Sequence, residues 1–235
     1  MKKLFLYTAL LTGLLCQAQF GTQVFAKDPI VNLENFDKQR VHWGYFLGFN
    51  SYGFKMDYID DPGVDVEVKG TTGFNVGLVG NLRLFEYLDL RFEPGLIYTQ
   101  RNLSFPEVAD EFDRLREVKS TYIHFPLLLK FSSKRTGNVR PYLVGGFSRT
   151  LNLSSNEDAQ DDNLSGLFRM KRITNNWEIG FGVDLYFEYF KFSPSIRGVF
   201  GLNDELVRDN DPNSPYTGNI EAMRTRAIFV NFTFH

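Results

Sequence analysis

The chain has a single cysteine among its 235 residues, Cys16, and it closes an apolar run from Leu4 to Leu15 that follows Lys2 and Lys3. That stretch reads as an export signal over residues 1–18, with Cys16, Gln17 and Ala18 forming a small-x-small cleavage site and a mature chain starting at Gln19. Lipid attachment at Cys16 is the competing reading, but that signal favours a small residue before the cysteine and Leu15 is not small. Once Cys16 leaves with the signal, no disulfide scaffold and no thiolate metal site remain open to the chain. A second lack is of long hydrophobic runs. No later segment approaches the ~20 apolar residues of a spanning helix, so any passage through a membrane is by strands. Charge of one sign is missing too. With 26 basic and 28 acidic side chains there is no basic footprint for nucleic acid.

What the sequence does have is alternation. In WEIGFGVDLYF, residues Trp177, Ile179, Phe181, Val183, Leu185 and Phe187 fall on one side of a strand, against Glu178, Gly180, Gly182, Asp184 and Tyr186 on the other. The pattern recurs in HWGYFLGFNSYGF from His42, in Thr72 to Leu84, in LDLRFEPGLIYTQ from Leu88 and in Tyr122 to Ser132. It returns in FKFSPSIRGVF from Phe190 and in Ala222 to His235, while Arg140 to Leu153 has a period blurred by Gly145 and Gly146. That makes eight strands, and the links between them alternate in length. Phe85-Glu86, Ser133 to Val139 and Glu188-Tyr189 are short; Asp57 to Lys69, Arg101 to Lys119, Ser154 to Lys171 and Asn203 to Glu221 are long. An even strand count with short turns on one rim and long loops on the other predicts an all-β fold, an eight-stranded antiparallel transmembrane β-barrel of a Gram-negative outer membrane.

Alternation alone does not say which face is inside, because a soluble lipocalin-like barrel buries its apolar face. The polar face arbitrates. Gly44, Gly48, Gly77, Gly95, Gly180 and Gly182 crowd onto it, and they suit a cramped lumen better than a solvated exterior. Trp43, Tyr45, Tyr98 and Trp177 lie near strand ends, as interfacial girdles do.

Residues 19–41 precede the barrel without a clear period and are expected to form an extended periplasmic arm, leaving 42–235 as the barrel. Within the second long loop, Val108, Phe112, Leu115 and Val118 are spaced for a short amphipathic helix over Glu107 to Lys119.

The chemistry expected of the interior is electrostatic. Arg91, Glu93, Lys130, Glu178, Asp184 and Arg197 all project to the predicted lumen, where charges must pair, and an eight-stranded lumen has room only for side chains. Catalysis finds little support. The best hydrolytic group is His124 with Ser120 and Glu117, and these sit in no recognised motif. The acidic clusters Asp57-Asp60-Asp61-Asp65 and Glu157-Asp158-Asp161-Asp162 lack the spacing of a calcium loop and read as solvated. No catalytic residue, metal site or cofactor is expected, and no small-molecule substrate is identified; the surroundings are outer-membrane lipid.

On LRFEPGLIYTQR from Leu90, YIHFPLLLKFSS from Tyr122, RPYLVGGFS from Arg140 and WEIGFGVDLYF, the chain resembles the outer-membrane β-barrel families of the Bacteroidetes. PIVNLENFDKQRVHWGYFLGFN, from Pro29 to Asn50, is similar to the PorT/SprT group, which is needed for type IX secretion and, in gliding species, for surface motility. The resemblance implies a non-enzymatic component or assembly factor of that apparatus, with secretion proteins as partners. An ordinary surface barrel for adhesion or envelope integrity is the alternative, and an enzyme acting on membrane lipid a third. For partner contact the arm is the expected surface, through Ile30, Leu33, Phe36, Asp37 and Arg40.

Overall fold

A computed structural model describes residues 30–61, 63–106, 108, 114–159, 168–211 and 214–235. Ten strands follow a single turn of 3-10 helix at Phe36–Lys38: β1 Val41–Tyr58, β2 Glu67–Gly70, β3 Thr72–Phe85, β4 Leu88–Phe92, β5 Gly95–Ser104, β6 Leu115–Ser132, β7 Val139–Asn152, β8 Ile173–Tyr186, β9 Lys191–Gly201 and β10 Ile220–Phe234. All pairings are antiparallel, and β1 closes the ring by pairing with both β3 and β10. The wall has eight members because β4 and β5 are two halves of one stave. β3 and β6 each pair with both halves, and the interruption falls at Pro94, which has no N–H for the ladder. The Pro94 carbonyl still accepts from the Leu78 N–H at 3.0 Å, so the wall stays continuous there. β2 is a short extra strand on the edge of β5.

Over the half of the barrel near the short turns, the faces lie as the alternation predicts. Trp43, Tyr45, Leu47, Phe49, Phe74, Leu78, Leu127, Leu129, Phe131, Leu143, Phe147, Ile179, Phe181 and Ile196 are outward and exposed around the ring. Their inward neighbours Asn50, Asn75, Asn81, Asn176 and Asn231 are buried. β7, whose facing the sequence leaves open, sends Leu143 and Phe147 out and Tyr142, Val144 and Ser148 in. The lumen glycines make room for particular groups. Gly77 and Gly95 face each other across β3 and β5, and the Phe46 ring lies over both: a Cβ at either would come within 2.6 or 2.8 Å of it.

Three expectations change. The second long loop is shorter than predicted, because β5 runs to Ser104 and β6 begins at Leu115. Arg101 is therefore a lumen residue rather than a loop residue. The amphipathic helix fails over Leu115 to Lys119, which is strand; residues 107 and 109–113 lie outside the described residues. The third correction concerns polarity. β1 and β6 are 18 residues long, well beyond the ~9–11 that cross a bilayer, and at the loop end the alternation inverts. There Lys55 and Asp57 point outward, while Phe54, Met56 and Tyr58 join a buried apolar cluster of Leu103, Phe105, Val118, Phe168, Met170, Leu206, Ile220 and Met223. Where the wall leaves lipid for water, its outer face turns polar and its inner face takes over the apolar packing. Just outside the spanning strands, burial pushes the Glu205 carboxyl up against the lowering effect of hydrogen bonds from the Thr225 N–H and hydroxyl, both at 2.9 Å.

Candidate functional site

The register of the strands brings the six predicted lumen charges into two groups. Glu93 bridges Arg91 and Arg197, with its two oxygens 3.1 Å from Arg91 Nη1 and 2.7 Å from Arg197 Nη1. Arg197 Nε continues to Glu178 Oε2 at 3.0 Å, and Glu178 Oε1 lies 2.8 Å from His124 Nε2. In the second group Lys130 Nζ meets Asp184 Oδ2 at 2.5 Å, and the Ser193 hydroxyl donates to Asp184 Oδ1 at 2.6 Å. The Tyr142 ring separates the groups, with Lys130 Nζ 4.0 Å and the Arg91 guanidinium 5.4 Å from its centroid. Arg91 Nε also donates to Asn81 Oδ1 at 2.7 Å. All six charged groups are buried, so water does not reach them and the lumen is filled at this level. Opposite charges at these distances offset a desolvation cost of several kcal/mol per ion only because nearly every charge has more than one partner.

The hydrolytic group expected around His124 does not assemble. β6 points His124 and Ser120 inward and Glu117 outward, where Glu117 Oε2 pairs with Lys119 at 3.0 Å. His124 lies inside the barrel against Glu178 and Thr150 Oγ1 (2.9 Å), and Ser120 Oγ accepts from Arg101 Nη2 at 2.9 Å. Arg101 is a lumen residue that the sequence did not reveal, and Arg116 and Lys191 are further buried cations of the strands outside the predicted six. The Arg101 guanidinium sits 4.2 Å from the Phe54 centroid and 5.4 Å from that of Tyr52, and donates to the Tyr122 hydroxyl. The signal was available: continuing the alternation of β5 past Gln100 puts Arg101 on the face of Ile97 and Thr99. Among the described residues no three His, Cys, Asp or Glu side chains converge as metal ligands would.

The second site closes the turn end. The extended arm is expected over residues 19–41; residues 19–29 lie outside the described residues, and residues 30–40 fold back across the rim as a compact cap. The Asn138 amide donates to the Ile30 carbonyl at 2.8 Å, and its Oδ1 accepts from the Asn32 N–H at 2.9 Å. Arg135 donates to the carbonyls of Asn32 and Leu33, and its guanidinium stacks 3.7 Å from the Tyr186 centroid. Asp37 is the centre of the cap. It accepts from the Tyr186 hydroxyl at 2.6 Å, pairs with Arg140 at 3.3 Å, and its carbonyl takes a bond from Arg83 Nη1 at 2.7 Å. The Phe36 ring stacks on His42 at 4.7 Å, and Lys191 Nζ lies 4.7 Å from its centroid. Leu33 holds a φ of 48°, a left-handed conformation costing a side chain on the order of 1–2 kcal/mol, which the flanking bonds impose.

Of the five residues expected to meet a partner, Phe36 and Asp37 therefore face the barrel, Leu33 is half-buried, and Ile30 and Arg40 are exposed. Asp37→Ala leaves the Tyr186 hydroxyl without the carboxylate it donates to and strips Arg140 of its ion pair, Arg140 keeping its bonds to the Ser133 and Glu86 carbonyls, a cost of about 1–2 kcal/mol. The expected result is faster trypsin cleavage after Lys38 or Arg40, with the barrel still shifting on heating in a gel; unchanged cleavage would show that the cap is held elsewhere.

Among solved structures the chain is similar to the outer membrane protein OprG from Pseudomonas aeruginosa, at 15% identity over 83% of this chain and 94% of that one, with a TM-score of 0.43. Neisserial surface protein A is 10% identical over 83% of this chain and 98% of that one, TM-score 0.42. Ail, the attachment invasion locus protein of Yersinia pestis, solved with the heparin analogue sucrose octasulfate, is 11% identical over 83% and 99%, TM-score 0.39. No curated protein matches the sequence. The family model for the outer membrane protein beta-barrel domain matches residues 17–207. With that match spanning most of a chain whose strands close into a ring, apolar outside and charged within, the protein belongs to the outer membrane protein beta-barrel domain family and resides in the outer membrane of a Gram-negative bacterium.

Proposed function

We propose that this barrel is a non-enzymatic component or assembly factor of the type IX secretion and gliding motility apparatus, and that it meets its protein partners through the cap. The observation that carries the reading is the cap's outer surface. Short turns of outer-membrane barrels face the periplasm, and there the cap holds Ile30 86% and Val31 51% exposed, while its backbone is bound to the rim. Two aliphatic side chains fixed on an ordered platform offer an apolar contact at low entropic cost. The resemblance of Pro29 to Asn50 to the PorT/SprT group supplies the identity of the apparatus, and the filled lumen favours a docking role over a conduit.

Because the cap packs on the rim, deleting it would mix loss of docking with loss of packing. The sharper experiment is Ile30→Asp with Val31→Asp, which alters only the exposed side chains. Cargo secretion is expected to fall by about tenfold or more, the loss that removing a contact hot spot brings, with outer-membrane levels and heat-modifiability unchanged. Normal secretion in those cells would rule out this surface.

The alternative of a general surface barrel, for adhesion or envelope integrity, draws support from the loop end, where Phe105, Phe168, Met170 and Leu206 anchor the long connections to an apolar core. A strain lacking the protein separates the two. Under the first reading cargo stays in the cell; under the second secretion continues and surface binding or envelope integrity fails.

A further inference from the structure

The outer wall carries a groove of about 440 Å³ whose lining includes Ser51 and Gly53 of β1, Gly198 and Phe200 of β9, and Arg226 and Ile228 of β10. Its position along the barrel is defined by the inversion of the wall. The outward row of β1 runs Trp43, Tyr45, Leu47, Phe49, Ser51, Gly53, Lys55, and beside it the outward row of β10 passes from Ile228 to Arg226 to Arg224. The register pairs Ser51 with Ile228, Gly53 with Arg226 and Lys55 with Arg224, so both strands change from apolar to basic at one height. That height is where the hydrocarbon of the loop-side leaflet gives way to its headgroups. The groove straddles the boundary.

Charge sets what can occupy it. Lys55 and Arg224 share one carboxylate, Asp57, at 2.8 and 2.5 Å. Arg226 is exposed, packs its guanidinium 4.9 Å from the Phe200 centroid, and has no carboxylate within ion-pair distance among the described residues. Lys69 and Glu67 on β2 pair with each other at 3.1 Å and leave the balance unaltered. Three cations against one carboxylate leave an uncompensated positive charge at headgroup level, and the absence of a side chain at Gly53 opens space beside Ile228 and the Phe200 ring, which itself lies over Gly198. A phosphate alone would leave that apolar space empty, and an uncharged lipid would leave Arg226 without a counter-ion.

We propose that this groove binds a phosphate-bearing lipid of the loop-side leaflet, its phosphate on Arg226 and an acyl chain lying along Ile228 and Phe200. The site uses one face of the wall and is independent of the cap. Basic side chains near a membrane surface each favour an anionic headgroup by about fivefold, which sets the size of the expected effect.

The test uses the mature protein reconstituted in phosphatidylcholine nanodiscs doped with diphosphoryl lipid A or with lipid A stripped of its phosphates, and reads lipid retained on the protein by native mass spectrometry. Wild type is expected to retain the phosphorylated form about fivefold over the stripped one. Arg226→Gln is expected to lose that preference, and Arg149→Gln, on β7 across the barrel, to keep it. Gly53→Leu fills the groove, since a Cβ there meets nothing nearer than 3.9 Å, and retention of both lipids is expected to fall. Equal retention of the two lipids by wild type, or an unchanged preference in Arg226→Gln, overturns the proposal. Full retention in Gly53→Leu overturns the acyl-chain groove even if Arg226 matters.

Discussion

Arg197→Met is expected to be the most damaging single change in the lumen, costing about 3–5 kcal/mol. Among the described residues Arg197 is the one cation that touches both Glu93 and Glu178, at 2.7 and 3.0 Å. Removing it leaves, among the described residues, Glu93 with Arg91 as its cation and Glu178 with His124 and the Ser148 hydroxyl, in a buried space. Methionine approximates the volume of arginine, so the loss is electrostatic and not that of a cavity. The measurement is the urea midpoint of the barrel in detergent micelles, followed by its gel shift on heating. Arg197→Lys keeps the charge but has a single ammonium where the guanidinium spans two carboxylates, and is expected to fall between the two. A midpoint for Arg197→Met equal to wild type would mean that the ion pairs contribute nothing net. The pair Lys130–Asp184 gives a cross-check: losing either partner should cost more than replacing both with apolar residues of similar size, because only the single change strands a buried charge.

The barrel was largely legible because its wall obeys one local rule. Residues such as Ile179 and Glu178 face opposite ways whatever the rest of the chain does, and a lumen too narrow for water forces the charges on its side to be few and paired. Two things were not legible for the same reason: they depend on where the wall stops being in lipid. At Phe54, Met56 and Tyr58 the strand continues but its surroundings change from lipid to water, so the greasy side turns inward. The transmembrane and the soluble patterns, which look like rival readings of the sequence, occupy successive lengths of the same strands. The strand read as starting at Tyr122 extends back to Leu115, which carries the rim away from His124 and sets it inside the barrel.

The cap was hidden for a different reason. Its bonds run between Asn32 and Asn138, and between Asp37 and Tyr186, across more than a hundred positions in sequence, and its own residues have no periodicity to announce a fold. Short polar segments of this kind are ordered by what they touch. Asn138 could be read as an ordinary turn residue until its amide is seen to bond both Ile30 and Asn32.

Phe181→Arg tests the assignment of faces directly and is expected to cost about 2–4 kcal/mol on insertion into a bilayer. The residue is outward on β8, paired with Leu143 and Ile196, four positions from Trp177 at one girdle and six from Phe187 toward the other. A guanidinium there has neither water nor a counter-ion within easy reach. The same substitution at Asn175, outward and exposed on the same strand but beyond Trp177, should cost close to nothing, so the difference between the two sites reads depth rather than tolerance of arginine. Gly182→Arg fails by another route. Its Cβ would lie 2.5 Å from the Tyr142 ring and 2.7 Å from the Pro194 carbonyl, and the added cation would join Arg91 and Lys130 with no new acid to match it. That defect belongs to the lumen, so it is expected in micelles and bilayers alike, whereas the Phe181→Arg penalty should shrink in thin bilayers, where the interface lies nearer to the site. If Phe181→Arg inserts as well as wild type in bilayers of every thickness, Phe181 does not face lipid and the inside and outside of this barrel have been exchanged.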